Sequence, residues 1–303
     1  MAIRTFGDFI ALLRAVKDEV VEDRVMAVSA GVTFYAILAL FPALTALISI
    51  FGLIASPADV PAQIEQVAGA LPKEAATLLT EQATRIAAKA SGTLSLAALI
   101  AVVLALWSAN GGVKALIEAL GIAHDAPETR GFVRLNLLAL AFTLGGIVLM
   151  PILAAVVAAV PVIMERVAGG TVAETIVVVL RWPVIIAILL AMLAVIYRWG
   201  PDRPDAKFLW VSPGAAVAAV GIVITSAGLS WYTTNFGSYD ETYGSLAAVV
   251  VLMLWIWLST VMVLIGAEVN AEMDRRADPK PDRTAKSRFS LQGRGQADIG
   301  PAS

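Results

Sequence analysis

The sequence of 303 residues contains no cysteine and a single histidine, His124. Without cysteine the chain forms no disulfide, no thiolate nucleophile and no cysteine-ligated metal or iron–sulfur centre. Charged residues make up only 15% of the chain, whereas a typical soluble domain carries about 25%. Hydrophobic residues reach 59%, and the mean hydropathy is +0.81. The core of one soluble domain cannot bury this apolar excess, so the composition excludes a soluble enzyme.

The few charged residues also argue against several kinds of site. The net charge is −2 and the basic residues form no dense block, so no nucleic-acid partner is predicted. His124 lies near Glu118, Asp125 and Glu128, but one imidazole with scattered acids lacks the ligand spacing of a zinc or two-metal site. The sequence also has no glycine-rich phosphate-binding motif. We therefore predict no catalytic residue, no metal site, no cofactor and no enzymatic activity.

Long stretches without a charged residue dominate the chain. A helix needs about 20 apolar residues to cross the hydrocarbon core of a bilayer. Six charge-free stretches occur, at residues 25–58, 90–113, 135–164, 182–197, 208–239 and 242–267. The fourth is long enough only if residues 175–180 join it and Arg181 extends toward the membrane surface. We predict an all-α polytopic membrane helix bundle with six transmembrane helices, at about residues 28–55, 92–113, 134–161, 175–197, 212–233 and 244–267.

Basic residues divide unequally between the two sides of these predicted spans. One side collects 17 of the 22 Lys and Arg residues, and the other side has five. Without the C-terminal tail the ratio is still ten to five. Because Lys and Arg remain on the cytoplasmic side of a membrane, both the N and C termini are predicted to be cytoplasmic. No cleavable signal peptide is predicted, since the first 24 residues are charged and amphipathic.

The remaining segments are short. Residues 1–24 have apolar side chains at spacings of three and four, which predicts an amphipathic helix on the cytoplasmic surface. Residues 60–90 carry apolar stripes before and after Pro72, which predicts an extracytoplasmic helical hairpin. Ser212 and Pro213 fit the cap and first position of the fifth span. Residues 25–276 then form the transmembrane domain, and the polar residues 277–303 are predicted to be a disordered cytoplasmic tail.

Kinked or unusual residues inside the predicted spans are candidates for function. Pro42 removes a helix hydrogen bond and predicts a bend near Leu38, which is either a functional hinge or an ordinary packing kink. Tyr35 adds a hydroxyl to the same span. Trp255 and Trp257 lie near the middle of the sixth span, whereas tryptophan is usual at the interface. They either line a cavity for a bulky amphiphile or pack against neighbouring helices and lipid.

A polar segment follows the second span. Trp107 and Asn110 lead into Lys114 and Glu118, which are one helical turn apart and able to pair. The pair is either solvated at the surface or part of a polar site inside the bundle, and Arg130 follows in the next loop. A charged face is also predicted for Glu268, Glu272 and Arg276, just inside the cytoplasm. The candidate substrate path or hinge therefore comprises Tyr35, Pro42, Trp107, Asn110, Lys114, Arg130, Trp255, Trp257 and Glu268.

Short motifs along residues 5–276 resemble the YihY/BrkB family of bacterial inner-membrane proteins. The motifs are Thr33-Phe34-Tyr35, Phe41-Pro42, Leu106-Trp107-Ser108-Ala109, Tyr197-Arg198 with Pro201, Ser212-Pro213-Gly214, Tyr243-Gly244-Ser245-Leu246, and the run from Leu264 to Ala271. Each motif alone is weak, and their combination is specific. One departure is Gly121 to His124, where the family commonly has Leu-Asn and an aromatic residue.

The resemblance implies a multi-pass protein of the bacterial inner (plasma) membrane. Members of the family have been called ribonucleases, virulence factors and transporters. The expected function is a transporter or flippase-like protein for an envelope lipid or other amphiphile, with membrane lipids and an amphiphilic substrate as partners. A structural or scaffold protein of the cell envelope is the alternative. Ribonuclease activity is not expected, because phosphodiester hydrolysis usually needs clustered metal ligands or an acid–base pair.

Overall fold

A computed structural model describes residues 6–51, 72–89, 96–167, 171–204, 212–236 and 247–277. Within these residues the chain forms eight α-helices and no β-strand, so the prediction of an all-α fold is confirmed for them. The helices are α1 (Phe6–Glu22), α2 (Val25–Phe51), α3 (Lys73–Lys89), α4 (Leu96–Ala123), α5 (Phe132–Val167), α6 (Thr171–Trp199), α7 (Pro213–Phe236) and α8 (Ala247–Ala277).

Five of the described helices are long and apolar enough to cross a membrane. They are α2, α4, α5, α7 and α8. The apolar part of α6, Pro183–Trp199, is shorter than these five spans. The chain is therefore a helical membrane protein, whereas the sixth span and the orientation stay predictions. The first part of the predicted hairpin, residues 60–71, and the tail from residue 278 lie outside the described residues.

The start of α7 follows directly from its sequence. Ser212 Oγ accepts a hydrogen bond from the backbone N–H of Ala215 at 3.1 Å, and Pro213 is the first helical residue. This confirms the predicted cap, in which the side-chain oxygen satisfies an N–H that has no partner within the helix. The N–H of Gly214 donates to Asn270 Oδ1 of α8 at 2.9 Å, so the beginning of α7 is also bonded to α8.

The helices α7 and α8 pack closely through glycine. A Cβ added to Gly214 would overlap the carbonyl oxygen of Gly266, and a Cβ on Gly266 would overlap the carbonyl oxygen of Gly214. Small residues allow two helix backbones to approach in this way. Tyr197 of α6 is buried nearby and donates its hydroxyl to the carbonyl oxygen of Val263 at 2.7 Å. The surrounding core joins five helices through Val32, Leu120, Leu193, Ala218 and Leu264.

The helices α1 and α3 lie at opposite ends of α2. Leu12 and Val16 of α1 pack against Val269, close to the C-terminal end of α8. Ala83 of α3 belongs to a separate core with Leu44 and other residues near the C-terminal end of α2. One end of the bundle therefore carries α1 and the last turns of α8, and α3 covers the other end.

Candidate functional site

A lysine and two asparagines meet between α4 and α5, and we call Asn110, Lys114 and Asn136 the asparagine–lysine cluster. Asn136 Oδ1 accepts hydrogen bonds from Asn110 Nδ2 at 3.1 Å and from Lys114 Nζ at 3.0 Å. The Nδ2 group of Asn136 donates to the carbonyl oxygen of Phe132 at 2.7 Å, which orients the amide. Lys114 Nζ also lies 5.9 Å from the centre of the Trp107 ring, a distance at which a cation is attracted to the ring face.

The asparagine–lysine cluster retains hydrogen-bonding capacity. Asn110 is 3% exposed, and its Oδ1 has no donor among the described residues. Lys114 Nζ has three N–H donors, and one of them is directed to Asn136. This bond between helices favours the interpretation of Lys114 as part of a polar site, over a solvated pair with Glu118. Lys114 is only partly buried, so a ligand with a hydrogen-bond acceptor could reach its remaining donors.

Three acidic residues meet at the end of the bundle that carries α1, and we call Glu19, Asp23 and Glu268 the carboxylate cluster. Carboxylate oxygens of the three residues lie within 4.8 Å of one another. Glu268 is 1% exposed, and neither of its oxygens has a hydrogen-bond donor within the described chain. The sequence-based placement of Glu268 on a charged surface is therefore wrong. Glu272 and Arg276 do form an ion pair, at 2.7 Å.

The turn between α1 and α2 positions Asp23 in this cluster. The N–H of Asp23 donates to the carbonyl oxygen of Glu19 at 2.8 Å, so Asp23 continues the last turn of α1. Arg24 then takes a φ of 51°, a left-handed conformation that ends the helix and directs the chain into α2. Because Asp23 follows Glu19 by one helical turn, both carboxylates lie on the same side of the chain where α1 ends.

Arg275 joins the carboxylate cluster to the loop after α4. Its Nη2 lies 3.1 Å from Glu19 Oε1, its Nη1 2.9 Å from Asp125 Oδ2, and its Nε 3.2 Å from Glu272 Oε2. Burial raises the pKa of Asp23 above its usual range. Burial also raises the pKa of Glu19, although the charge of Arg275 opposes the rise. The cluster is thus an electrostatically unfavourable place for three ionised carboxylates.

Arg130 links the α4–α5 loop to the end of α6. Its Nε donates to Glu128 Oε1 at 2.7 Å, and its Nη groups donate to the carbonyl oxygens of Trp199 at 3.2 Å and Gly200 at 2.7 Å. Its Nε also lies 3.9 Å from Asp202 Oδ1. The hydrogen bonds from Arg130 hold the pKa of Glu128 below its usual range. The structure therefore places this candidate in a network that holds two loops together.

Two tryptophans in the N-terminal half of α8 both make hydrogen bonds to neighbouring helices. Trp255 Nε1 donates to Ser226 Oγ of α7 at 2.9 Å. Trp257 Nε1 donates to the carbonyl oxygen of Met26 of α2 at 3.0 Å. Both tryptophans are partly buried, and their bonds to neighbouring helices favour the packing interpretation of Trp255 and Trp257.

Of the remaining candidates, Tyr35 of α2 and Trp107 of α4 are exposed, and Pro42 of α2 is partly buried. Tyr35 is 51% exposed and Trp107 is 61% exposed. Phe34 packs edge-on against Tyr35, with ring centroids 5.4 Å apart. The helix α2 continues through Pro42 from Val25 to Phe51, and the predicted bend stays a prediction.

Comparison with known proteins assigns the family. A model of the family described as virulence factor BrkB matches residues 16–289. The chain belongs to this family. The match covers the whole described chain from the middle of α1 onward, and it confirms the resemblance found in the sequence motifs.

Relatives of this BrkB-family chain have different names. A ribonuclease-like protein of Bacillus subtilis, YfkH, is 29% identical over 255 residues, which are 82% of this chain and 90% of that protein. A UPF0761 membrane protein of Alteromonas mediterranea is 37% identical over 99 residues, 31% of this chain and 33% of its own. A UPF0761 membrane protein of Vibrio campbellii is 46% identical over 63 residues, 21% of this chain and 20% of its own. No solved structure matches the chain significantly.

Three members of the two clusters were not sequence-based candidates. Asn136 lies inside the third predicted span, and a polar residue at that position was a usable signal because such residues are rare in apolar helices. Glu19 and Asp23 gave no comparable signal. Their spacing along α1 is the same as that of an ordinary solvated helix face, and only the fold brings Glu268 against them.

Proposed function

We propose that this BrkB-family protein is a multi-pass inner-membrane transporter or flippase-like protein for an envelope lipid or another amphiphile. The asparagine–lysine cluster carries the proposal. It sets a lysine ammonium and an unpaired, buried amide oxygen between α4 and α5, two helices that are apolar enough to cross a membrane. Ionisable residues at membrane depth are costly and commonly belong to a substrate or ion pathway.

The chemistry of the cluster suits an amphiphile with an anionic head group. The partly exposed Lys114 ammonium would bind a phosphate or carboxylate oxygen of the head group, and the buried Asn110 would hold Asn136, the hydrogen-bond partner of the lysine, in place. The exposed Trp107 lies beside the lysine and would contact the apolar part of the molecule. Lys114 would then contact the head group, and Trp107, about two helical turns away on α4, would contact the apolar part of the same molecule.

We also propose that the protein has no enzymatic activity, ribonuclease activity included. The carboxylate cluster corrects one premise of the sequence argument, since acidic residues able to hold a metal ion do come together. A hydrolytic metal needs a coordination position that the phosphodiester reaches. Glu268, however, is 1% exposed beneath α1, so a hydrated RNA backbone is excluded from its carboxylate. Candidate metal ligands are therefore present, and it is the burial of Glu268 that opposes hydrolysis of RNA.

The proposed topology has six spans with cytoplasmic N and C termini. The part of α6 before Pro183 would complete the fourth span, as the charge-free stretches predict. The packing of α1 against the last turns of α8 supports this topology, because it sets segments near both termini at one end of the bundle. A chain that crosses the membrane an even number of times likewise has both of its ends on one side.

The proposal is tested by transbilayer movement of lipids in proteoliposomes. Purified protein is reconstituted with a trace of fluorescent phosphatidylglycerol or phosphatidylethanolamine, and the outer-leaflet label is quenched over time. Wild-type protein should accelerate movement relative to empty liposomes. Lys114→Ala should slow it about tenfold or more, because a hydrogen bond to a charged group contributes about 1.5–3 kcal/mol.

Lys17→Ala is the matched control, since it removes an exposed lysine from α1, away from the asparagine–lysine cluster. Its rate should equal that of the wild type. If the wild type moves no lipid class faster than empty liposomes, the transport proposal is wrong and a structural or scaffold role is favoured. Equal rates in Lys114→Ala and Lys17→Ala would instead remove the asparagine–lysine cluster from the transport path.

A further inference from the structure

The carboxylate cluster has no part in the proposed transport. Its three members come from α1, from the turn after α1 and from α8, and they present oxygens within 4.8 Å of one another. Glu268 is 1% exposed, and both of its oxygens have no hydrogen-bond donor in the described part of the chain. Carboxylates this close repel one another unless a proton or a cation lies between them.

The nearby arginine does not remove this repulsion. Arg275 Nη2 lies 3.1 Å from Glu19 Oε1, but the same guanidinium is shared with Asp125 and Glu272. Among the described residues no other lysine or arginine forms an ion pair with the carboxylate cluster. Two of the three carboxylates, including the most buried one, therefore lack a cationic side chain at ion-pair distance.

We propose that the carboxylate cluster binds one divalent cation that prefers oxygen ligands, of the Ca²⁺ or Mg²⁺ class. Ca²⁺ takes oxygen ligands at about 2.3–2.6 Å, so two ligands on opposite sides of the ion are about 4.6–5.2 Å apart. The spacing within 4.8 Å fits three ligands around one such ion. Two positive charges would also balance the two carboxylates that Arg275 does not contact.

The three residues of the carboxylate cluster differ in burial, and this difference leaves a path by which an ion can enter. Glu19 and Asp23 are only partly buried, whereas Glu268 is fully buried. An ion can therefore enter past α1 and reach Glu268 at the bottom of the cluster. Once bound, it would join α1 to the start of α2 and to the last turns of α8. The ion would hold the surface helix against the bundle.

The site is tested on the full-length protein in detergent after removal of metal with EDTA. Mn²⁺ is the probe, because it takes the same oxygen ligands and is followed directly by electron paramagnetic resonance. About one Mn²⁺ per chain should bind and should be displaced by Ca²⁺ or Mg²⁺. Glu268→Gln and Asp23→Asn should each weaken binding about tenfold or more, since each replaces a charged ligand by an amide of nearly the same shape.

Asp18→Asn is the matched control, because it removes an exposed carboxylate from the same helix without touching the cluster. It should bind Mn²⁺ as the wild type does. Absence of saturable binding would overturn the proposal, as would an equal loss in Asp18→Asn and Glu268→Gln.

Thermal unfolding gives a second measurement for the case in which Glu268→Gln folds poorly. Ca²⁺ should raise the Tm of the wild type and of Asp18→Asn, because a ligand that binds the folded state stabilises it. Addition of Ca²⁺ should leave the Tm of Asp23→Asn nearly unchanged. If the wild-type Tm responds to pH but not to any divalent cation, the cluster shares a proton and the proposal is wrong.

Discussion

His124, the one histidine of the chain, lies just after the last residue of α4. Its Nδ1 is 3.0 Å from the carbonyl oxygen of Leu120. Burial lowers the pKa of His124 to about 4, and the charges of Arg203 and Arg275 act in the same direction. The folded protein therefore keeps this imidazole neutral at pH values where a histidine in the unfolded chain, with a pKa of about 6.5, already binds a proton.

The stability of the protein should fall as the pH decreases from about 6.5 to about 4. In this window the unfolded state binds a proton at His124 that the folded state does not, a contribution of up to about 3 kcal/mol at the acidic end. His124→Gln removes the contribution. Thermal unfolding at about pH 7.5 and about pH 4.5 should show a larger fall in Tm for the wild type than for the variant, and equal falls would contradict the assignment.

The sequence was sufficient to single out individual polar residues, but it did not predict their hydrogen-bond partners. The sequence singled out Asn110, Lys114 and Glu268 because polar groups next to apolar stretches are unusual. It paired Lys114 with Glu118, whereas the structure bonds it to Asn136 on the next helix. Helical spacing reveals which residues share a face, but it carries no information about which helix lies opposite.

Among the elements, α1 has apolar residues on two faces with different roles. Leu12 and Val16 are buried against Val269 of α8. Phe6 is 78% exposed, and Phe9 and Leu13 are exposed as well. A helix that packs on a bundle with one apolar face and keeps another exposed suits the membrane–water interface, where the second face contacts lipid. The amphipathic pattern predicted the helix, and packing against α8 decided how it is rotated.

The pair α7 and α8 should be sensitive to any added side chain at their closest approach. Gly214→Ala sets a Cβ against the carbonyl oxygen of Gly266, which is a backbone atom and not the end of a flexible side chain. Overpacking of this kind costs about 1–3 kcal/mol. The Tm of the variant in detergent should therefore fall by several degrees.

Gly228→Ala is the control for this substitution, since it lies on the same helix. A Cβ at Gly228 meets no atom within 4 Å, so its Tm should be unchanged or slightly higher. A Gly214→Ala protein as stable as the Gly228→Ala protein would show that the two helices are not held at this distance.

For the whole molecule, the placement of α1 and α3 at opposite ends of α2 predicts that the two helices lie on opposite sides of the membrane. Because the chain has no cysteine, single cysteines report on this directly. Thr84→Cys on α3 should react with a membrane-impermeant maleimide in intact spheroplasts. Lys17→Cys on α1 should react only after permeabilisation, because the predicted topology puts α1 in the cytoplasm. Labelling of both sites in intact spheroplasts would contradict the fold, and the reverse pattern would invert the topology.

The sequence by itself determined that this is a helical membrane protein and where most of its helices lie. Hydropathy and charge are local properties, and the cost of placing a charged residue in a bilayer acts on each stretch separately. The family followed for the same reason, from short motifs along the chain. Only the tertiary structure decided which polar groups meet. Glu268 lies more than 240 residues from Asp23 in the chain, yet their carboxylates share one cluster. Such encounters depend on how the helices pack, which no local pattern contains.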